Sequence, residues 1–349
     1  MERQLRVAVA GLGVFGEMET SILAELSNVK LEALCSKSAK RLAELGDRFR
    51  VQKRYEDYGQ LVHDKDIDAV VLASDAKDHA EQAFKAMEAG KAVFLEKPMT
   101  LKYEDAERLA KKSEETGIML MVGFENRFGI ENTAIKKAID EGKFGALLYM
   151  NFRVGISRAY FLSNSGYSYF HPVHETMSHH IDLALWFSKS KAVERVYARQ
   201  LFHFEKETPD ACLAMLTFSD GSVATFSTNL VVPDGAPRNH WKYGRTMDVE
   251  LEVVGSSMIA KANLLGSNLS LWNNEGVLAP EVSWWPEANG HILGALRNEI
   301  VHFVDCVAHH TPSTIASVKD ALYGTRLADA IIQSATLGRE ITLSEGEGK

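Results

Sequence analysis

Cysteine is scarce: Cys35, Cys212 and Cys306 are the only three in 349 residues. They stand too far apart for a C-x-x-C redox or zinc motif, and so few thiols in so long a chain fit a reducing, cytoplasmic setting. Long apolar runs are missing as well. None approaches the ~20 residues that a membrane-spanning helix needs, and glycines break the N-terminal MERQLRVAVAGLG where a signal peptide would be apolar. Positive charge is in deficit, with a formal net charge of −8, which excludes nucleic acid and membrane surfaces as partners, because neither attracts an acidic protein. There is no internal repeat, low-complexity tract or linker. What remains is an ordinary globular composition, 46% hydrophobic and 25% charged, in a chain long enough for two domains.

The first of these is legible from its start. Leu5–Ala10 is a short apolar, strand-like run, followed by Gly11-x-Gly13-x-x-Gly16 and then by helical spacing through ETSILAEL. Strand, glycine turn and helix together make a dinucleotide-binding fingerprint. The first glycine makes the turn, the second admits the pyrophosphate, the third lets helix and strand pack, and phosphate rests on the helix N-terminus. Val14 and Phe15 lie inside that loop. A second strand, VKLEALC, ends at Ser36, twenty residues past Gly16, where NAD-binding proteins usually carry an acid on the ribose 2′-hydroxyl. A serine there, with Lys37 and Arg41 beside it, suits a 2′-phosphate and favours NADP over NAD. A third strand ends at Ser74, and the next, KAVFLEKPM, brings Glu96 and Lys97 to the carboxyl edge of a parallel sheet, where cofactor binds.

With E-K-P added to GLGVFG, the chain resembles the glucose–fructose oxidoreductase/inositol dehydrogenase (Gfo/Idh/MocA) family. AEQAFKAMEAGKAVFLEKPM is similar to its "helix, AGK, strand, EKP" block, and His79 matches a histidine often found before that helix. ENRF (125–128) and the following AIKKAIDEGKFGALLYMNFRVG are similar to the family's crossover into its second domain. The resemblance implies a Rossmann domain over 1–123. It also implies an α+β domain over 124–349 with a large, mostly antiparallel open sheet, used for substrate binding and oligomerisation. Alternating strand-like runs such as ALLYMNFRV, CLAMLTFS and SVATFSTNLVV agree with that independently, and S-D-G at 219–221 reads as a hairpin turn. One face of such a sheet needs covering, so the resemblance implies a homodimer or homotetramer.

The stretch HETMSHHIDLALW (174–186) looks at first like a zinc protease motif. In a regular helix His174 and His179, five apart, fall nearly half a turn out of register and cannot chelate one ion, so no metal is expected. Glu175, His179, Asp182 and Trp186 instead share one stripe, while His180 faces elsewhere. His179 matches the family's catalytic histidine and Asp182 its following aspartate; the acid four before the histidine, usually aspartate, is Glu175 here. The chemistry supports that mapping. Taking hydride from a secondary alcohol requires a base for the hydroxyl proton, which histidine supplies near neutral pH, and a lysine can stabilise the alkoxide. The expected catalytic set is therefore Lys97, His179 and Glu175.

Arg127, Arg153, His171 and His174, with Tyr160, Tyr167 and Tyr169, lie in segments that border the substrate cleft in such a fold. Arg238, His240 and Trp241 lie in a polar loop able to reach substrate or a neighbouring subunit. The expected substrate is a sugar, sugar derivative or cyclitol. Two alternatives stand beside dehydrogenation: a redox-neutral, nicotinamide-dependent glycosidase and a non-catalytic nucleotide sensor.

Overall fold

The computed structural model describes residues 4–158, 171–204, 208–233, 235–236, 246–264, 266, 269–273, 276–279 and 282–343. Tyr160, Tyr167, Tyr169, Arg238, His240 and Trp241 lie outside the described residues. Among the described residues no helix is long and apolar enough to cross a membrane, and the three cysteines are buried and unbridged.

The chain divides into two units. The first comprises residues 1–128 and 287–325, the second 129–286 and 326–349. Strands β1 (Leu5–Ala10), β2 (Val29–Cys35), β3 (Lys53–Tyr55), β4 (Ala69–Leu72), β5 (Ala92–Glu96) and β6 (Leu120–Gly123) alternate with helices α1 (Val14–Glu25), α2 (Ala39–Arg48), α3 (Tyr58–Val62), α4 (Ala76–Glu88) and α5 (Tyr103–Thr116). All six strands are parallel in the order β3-β2-β1-β4-β5-β6, the doubly wound order with its reversal between β1 and β4. Val7–Ala10 and all of β4 are buried. That is why these strands read as unbroken apolar runs: helices cover both faces of a parallel sheet. Ser38, Asp57 and Asp75 cap α2, α3 and α4 by accepting backbone N–H groups, each cap worth about 1 kcal/mol.

The second unit holds a mixed sheet built on β7 (Leu147–Ser157), β8 (Val193–Leu201), β9 (Ala211–Phe218), β10 (Val223–Val232), β11 (Met247–Gly255) and β12 (Ile259–Asn263). The order is β12-β11-β7-β10-β9-β8, closed by the short strand Ile341–Thr342; only β7–β10 is parallel. The period-2 alternation is plain. Met150, Phe152, Val154 and Ile156 are buried on one face, whereas Tyr149 and Arg153 emerge on the other. Helices α6 (Ile130–Asp140) and α7 (Ser178–Phe187) belong to this unit, and α7 covers the buried face, with His180 5.2 Å from the Phe152 ring.

Helix α8 (Gly294–Ala308) returns to the first unit, packing on α1 and on the 3-10 turn Glu125–Phe128. Helix α9 (Val318–Leu337) begins in the first unit and ends in the second. A single cut at 123/124 misses this return: Phe303 stacks edge-on against Phe94 at 5.5 Å, completing the Rossmann core from far along the chain.

Candidate functional site

In the first unit the loops after β1, β4 and β5 carry the expected cofactor residues. Gly11 has φ +93°, which side chains rarely adopt, and a Cβ there would lie 2.3 Å from the Ala73 carbonyl oxygen after β4. A Cβ at Gly16 would meet the Gly11 carbonyl oxygen at 1.8 Å, so loop and helix approach as closely as backbone allows. Gly13, which caps α1, is different: a Cβ there would meet nothing within 4 Å. The chain thus keeps open the space before the α1 N-terminus, where a pyrophosphate would rest on free N–H groups. The residues fit a dinucleotide, and Gly11, Gly13, Val14, Phe15 and Gly16 would hold it.

Two further loops are tied together by His79. Its ring is 1% exposed, with Nδ1 2.9 Å from the Pro98 carbonyl oxygen and Nε2 3.2 Å from that of Ser74. Burial pushes its pKa down, so the ring is neutral near pH 7 and its single N–H donates to only one of the two carbonyls at a time. His79 therefore positions the Ser74 loop and the cis Lys97–Pro98 bond. The Ser74 hydroxyl donates to Gln82 at 2.6 Å.

In the second unit the segment expected to be one regular helix starts as a π-helical turn, Val173–Met177, and becomes α-helical at Ser178. Such wide turns concentrate at functional sites. Thr176 anchors this one to the sheet through a 2.5 Å hydroxyl–hydroxyl bond with Thr228 on β10. Glu175 and His179 are half-buried, while Met177, Ser178, His180 and Asp182 are buried. The polar stripe is therefore shorter than expected: Asp182, at 1% exposure, lies inside. His171 is held on both sides, its Nδ1 accepting from the Val173 N–H at 3.2 Å and its Nε2 2.8 Å from the Gln200 amide. Burial lowers the pKa of both His171 and His174 to about 4, so both are neutral at physiological pH. Among the described residues no group of three or more His, Cys, Asp and Glu side chains is arranged to hold a metal ion.

Residues 5–124 match the family profile described as an oxidoreductase family with an NAD-binding Rossmann fold, and residues 132–260 match the GFO/IDH/MocA C-terminal domain. The chain belongs to the Gfo/Idh/MocA family. Its relatives include 4-carboxy-2-hydroxymuconate-6-semialdehyde dehydrogenase of Sphingobium sp., 35% identical over 40% of this chain and 44% of that protein, so this match spans less than half of the relative. Scyllo-inositol 2-dehydrogenase (NAD(+)) of Bacillus subtilis is 25% identical over 98% of this chain and 97% of its own length. Among solved structures, scyllo-inositol dehydrogenase of Lactobacillus casei with bound NAD(H) and scyllo-inositol superposes with a TM-score of 0.83. It is 22% identical and covers 97% of this chain and 99% of that one, a likeness of fold.

Within the family frame, several expected ligand residues are engaged elsewhere. Arg127 is 1% exposed and is engaged within the fold: its guanidinium donates to the Ile315 carbonyl at 2.5 Å and to Asp320 at 2.9 Å, pinning residues 315–320 against the 125–128 turn. Arg153 lies on the sheet face opposite α7, paired with Asp248 and Glu250, because an odd step along β7 reverses the side chain. It is not brought together with Glu175 and His179. Arg41 donates to the Leu12 carbonyl (3.0 Å), Glu44 (2.9 Å) and Glu17 (2.6 Å). Lys37 is exposed and meets Asp78 at 3.1 Å, and the Ser36 hydroxyl accepts the Ser38 N–H. One residue went unnoticed in the sequence. Glu19 is fully buried in α1, and its only signal is an acid on the same face as Gly16 and Leu23, where an apolar side chain belongs.

Proposed function

We propose that the protein is a nicotinamide-dependent oxidoreductase that interconverts a secondary alcohol and a ketone on a cyclitol or related sugar. The observation that carries this reading is the pairing of chemistries. One unit offers an open, glycine-lined phosphate cradle and the E-K-P lysine; the other offers a half-buried Glu175–His179 pair on a helix pinned to its sheet. The dinucleotide, when bound, supplies the hydride acceptor or donor. His179 takes the hydroxyl proton in oxidation and returns it in reduction, Lys97 stabilises the developing alkoxide, and Glu175 orients imidazole or substrate. Relatives named for inositol oxidation support a cyclitol.

The NADP preference expected from Ser36, Lys37 and Arg41 has less support. A 2′-phosphate would have to displace two carboxylates from Arg41, and Glu17, Glu44 and Asp78 make that corner acidic. We favour NAD. The test is a nicotinamide absorbance assay over inositols, sugars and polyols with each cofactor. Net reduction with at least one polyol, and a higher kcat/KM for NAD, is the expected result. Sugar release without net absorbance change would instead establish the glycosidase, and cofactor binding without turnover the sensor.

A second copy of this chain is the proposed cover for the open sheet face. Tyr197, Leu213 and Met215 are 38%, 48% and 40% exposed there, beside the charged ladder of Arg153, Asp248 and Glu250. A broad exposed apolar patch marks an interaction surface. Sedimentation should give a dimer or tetramer for the wild type and a monomer for Leu213→Glu/Met215→Glu. A monomeric wild type would remove this reading.

A further inference from the structure

Beneath the E-K-P turn sits an acidic pair with no part in the chemistry above. Glu19, in the middle of α1, is 0% exposed, and Glu96, at the end of β5, is 6% exposed. Burying an acid without a partner is costly, and it is rare. Among the described residues neither Glu19 oxygen meets an N–H or hydroxyl donor; the group that acts on it is the Glu96 carboxyl. A carboxyl–carboxyl hydrogen bond exists only if one of the two carries a proton. Glu96 is also held from two other sides. Its Oε2 accepts the backbone N–H of Lys97 at 3.2 Å, and opposite it on β6 a Cβ at Gly123 would lie 3.2 Å from Oε1, so a side chain there would crowd the carboxyl.

We propose that Glu19 and Glu96 form a proton-sharing carboxyl pair that positions Lys97, seating the strand-to-turn junction only while the pair keeps at least one proton. This rests on the reading of Lys97 as a catalytic group. Like charges in hydrogen-bond contact in a dry interior cannot both be ionised. A single proton replaces their repulsion with a charge-assisted O–H···O bond. Full ionisation drives the carboxyls apart, and Glu96 cannot move without carrying the Lys97 N–H with it.

The neighbouring charges leave the pair to itself. Glu17 is taken by Arg41 and Arg48, Glu25 by Arg297 and His291, Glu32 by Lys30 and Lys53, and Arg6 by Asp66 and Asp68. His79 on α4, Glu299 on α8 and Glu125 past β6 are buried as well, and His302 and Asp305 lie further along α8. The charge acting on Glu96 besides Glu19 is that of Lys97 itself, which favours ionisation and is outweighed by burial.

Burial raises both carboxyls, Glu19 to about 8 from an ordinary 4.5, and the two titrate as a unit. The sign follows from linkage. An unfolded chain gives up these protons near the ordinary value and the folded chain holds them, so the pair's contribution to stability is full below about 4.5 and falls as pH rises toward about 8.

Infrared titration of the full chain tests this without any substrate. The wild type should show the carbonyl stretch of an un-ionised carboxylic acid at pH 7, fading above about pH 8, and the band should shrink in Glu19→Gln. In the kinetic profile, kcat/KM of the wild type should fall about tenfold per pH unit on the alkaline side. Glu19→Gln, whose amide still donates to Glu96 but cannot ionise, should move that fall upward by about one pH unit or more. Glu19→Ala, which keeps no donor, should not reproduce it. A wild type with no un-ionised carboxyl at pH 7 overturns the proposal, as does an alkaline limb identical in wild type and Glu19→Gln. Should Glu19→Gln fail to fold, the wild-type titration decides alone. Lack of turnover with every polyol would sink the dehydrogenase reading and leave the infrared band untouched.

Discussion

His179→Ala should lower kcat by a factor of about 10²–10⁴ while NADH titration, followed by fluorescence, changes little. The imidazole lies in the unit that does not contain the glycine loop, so cofactor affinity is not expected to depend on it. Three features make this a test of proton transfer rather than of packing. His179 is half-buried, in contrast to its fully buried neighbour His180, which stacks on Phe152; removing it should leave thermal stability nearly unchanged. His179→Asn keeps polarity and much of the volume but exchanges no proton, so it should be about as slow as alanine. His180→Asn, in contrast, should cost stability, since burial holds that imidazole neutral with a pKa near 3 and an amide cannot replace its ring contacts. Lys97→Met should lower kcat over a similar range through loss of alkoxide stabilisation. Near-normal turnover in both His179→Asn and Lys97→Met would end the proposed mechanism.

The contrast between these two histidines also shows what the sequence could and could not disclose. Strand order in the first unit was legible because a parallel sheet covered on both faces demands unbroken apolar strands, and β1, β4 and β5 supply them. The glycine loop was legible because its spacing answers to backbone geometry alone, borne out by φ +93° at Gly11 and the crowding at Gly16. The stripe at 174–186 was legible only in part. Helical periodicity assumes a constant turn, and the wide turn Val173–Met177 changes it just where Glu175 sits; no residue type announces a π turn. Charged residues were the least legible. Arg41, Arg127 and Arg153 all read as ligand-binding candidates, yet each is satisfied by acids or carbonyls remote in sequence: Glu17, Asp320 and Asp248. Partners separated by tens or hundreds of residues leave no local pattern. Glu19 shows the converse: an acid at an interior helix position looks like an exposed residue until the strand carrying Glu96 is placed beneath it.

Arg127 carries the largest expected effect on stability. Its guanidinium is 1% exposed, and one of its nitrogens serves both the Ile315 carbonyl and Asp320, almost two hundred residues further on. Those contacts fasten the first turn of α9 and the residues just before it to the turn that leaves the Rossmann sheet, where Asn298 of α8 also donates to the Phe128 carbonyl at 3.3 Å. Removing one member of a buried ion pair costs about 3–5 kcal/mol, a large share of the ~5–15 kcal/mol that holds a domain together. Arg127→Ala should therefore unfold at markedly lower denaturant concentration. Arg127→Lys should recover only part of the loss, since an ammonium is more strongly hydrated than a guanidinium and so costs more to bury. Asp320→Ala should be destabilising too, because it takes the Asp320 carboxylate away from a buried cation, and the double variant should be less damaging than the sum of the two. Substrate binding by Arg127 makes the opposite forecast, a raised KM with unchanged stability and no coupling to Asp320. Chemical denaturation of the four proteins, with KM measured on the folded variants, separates the two roles.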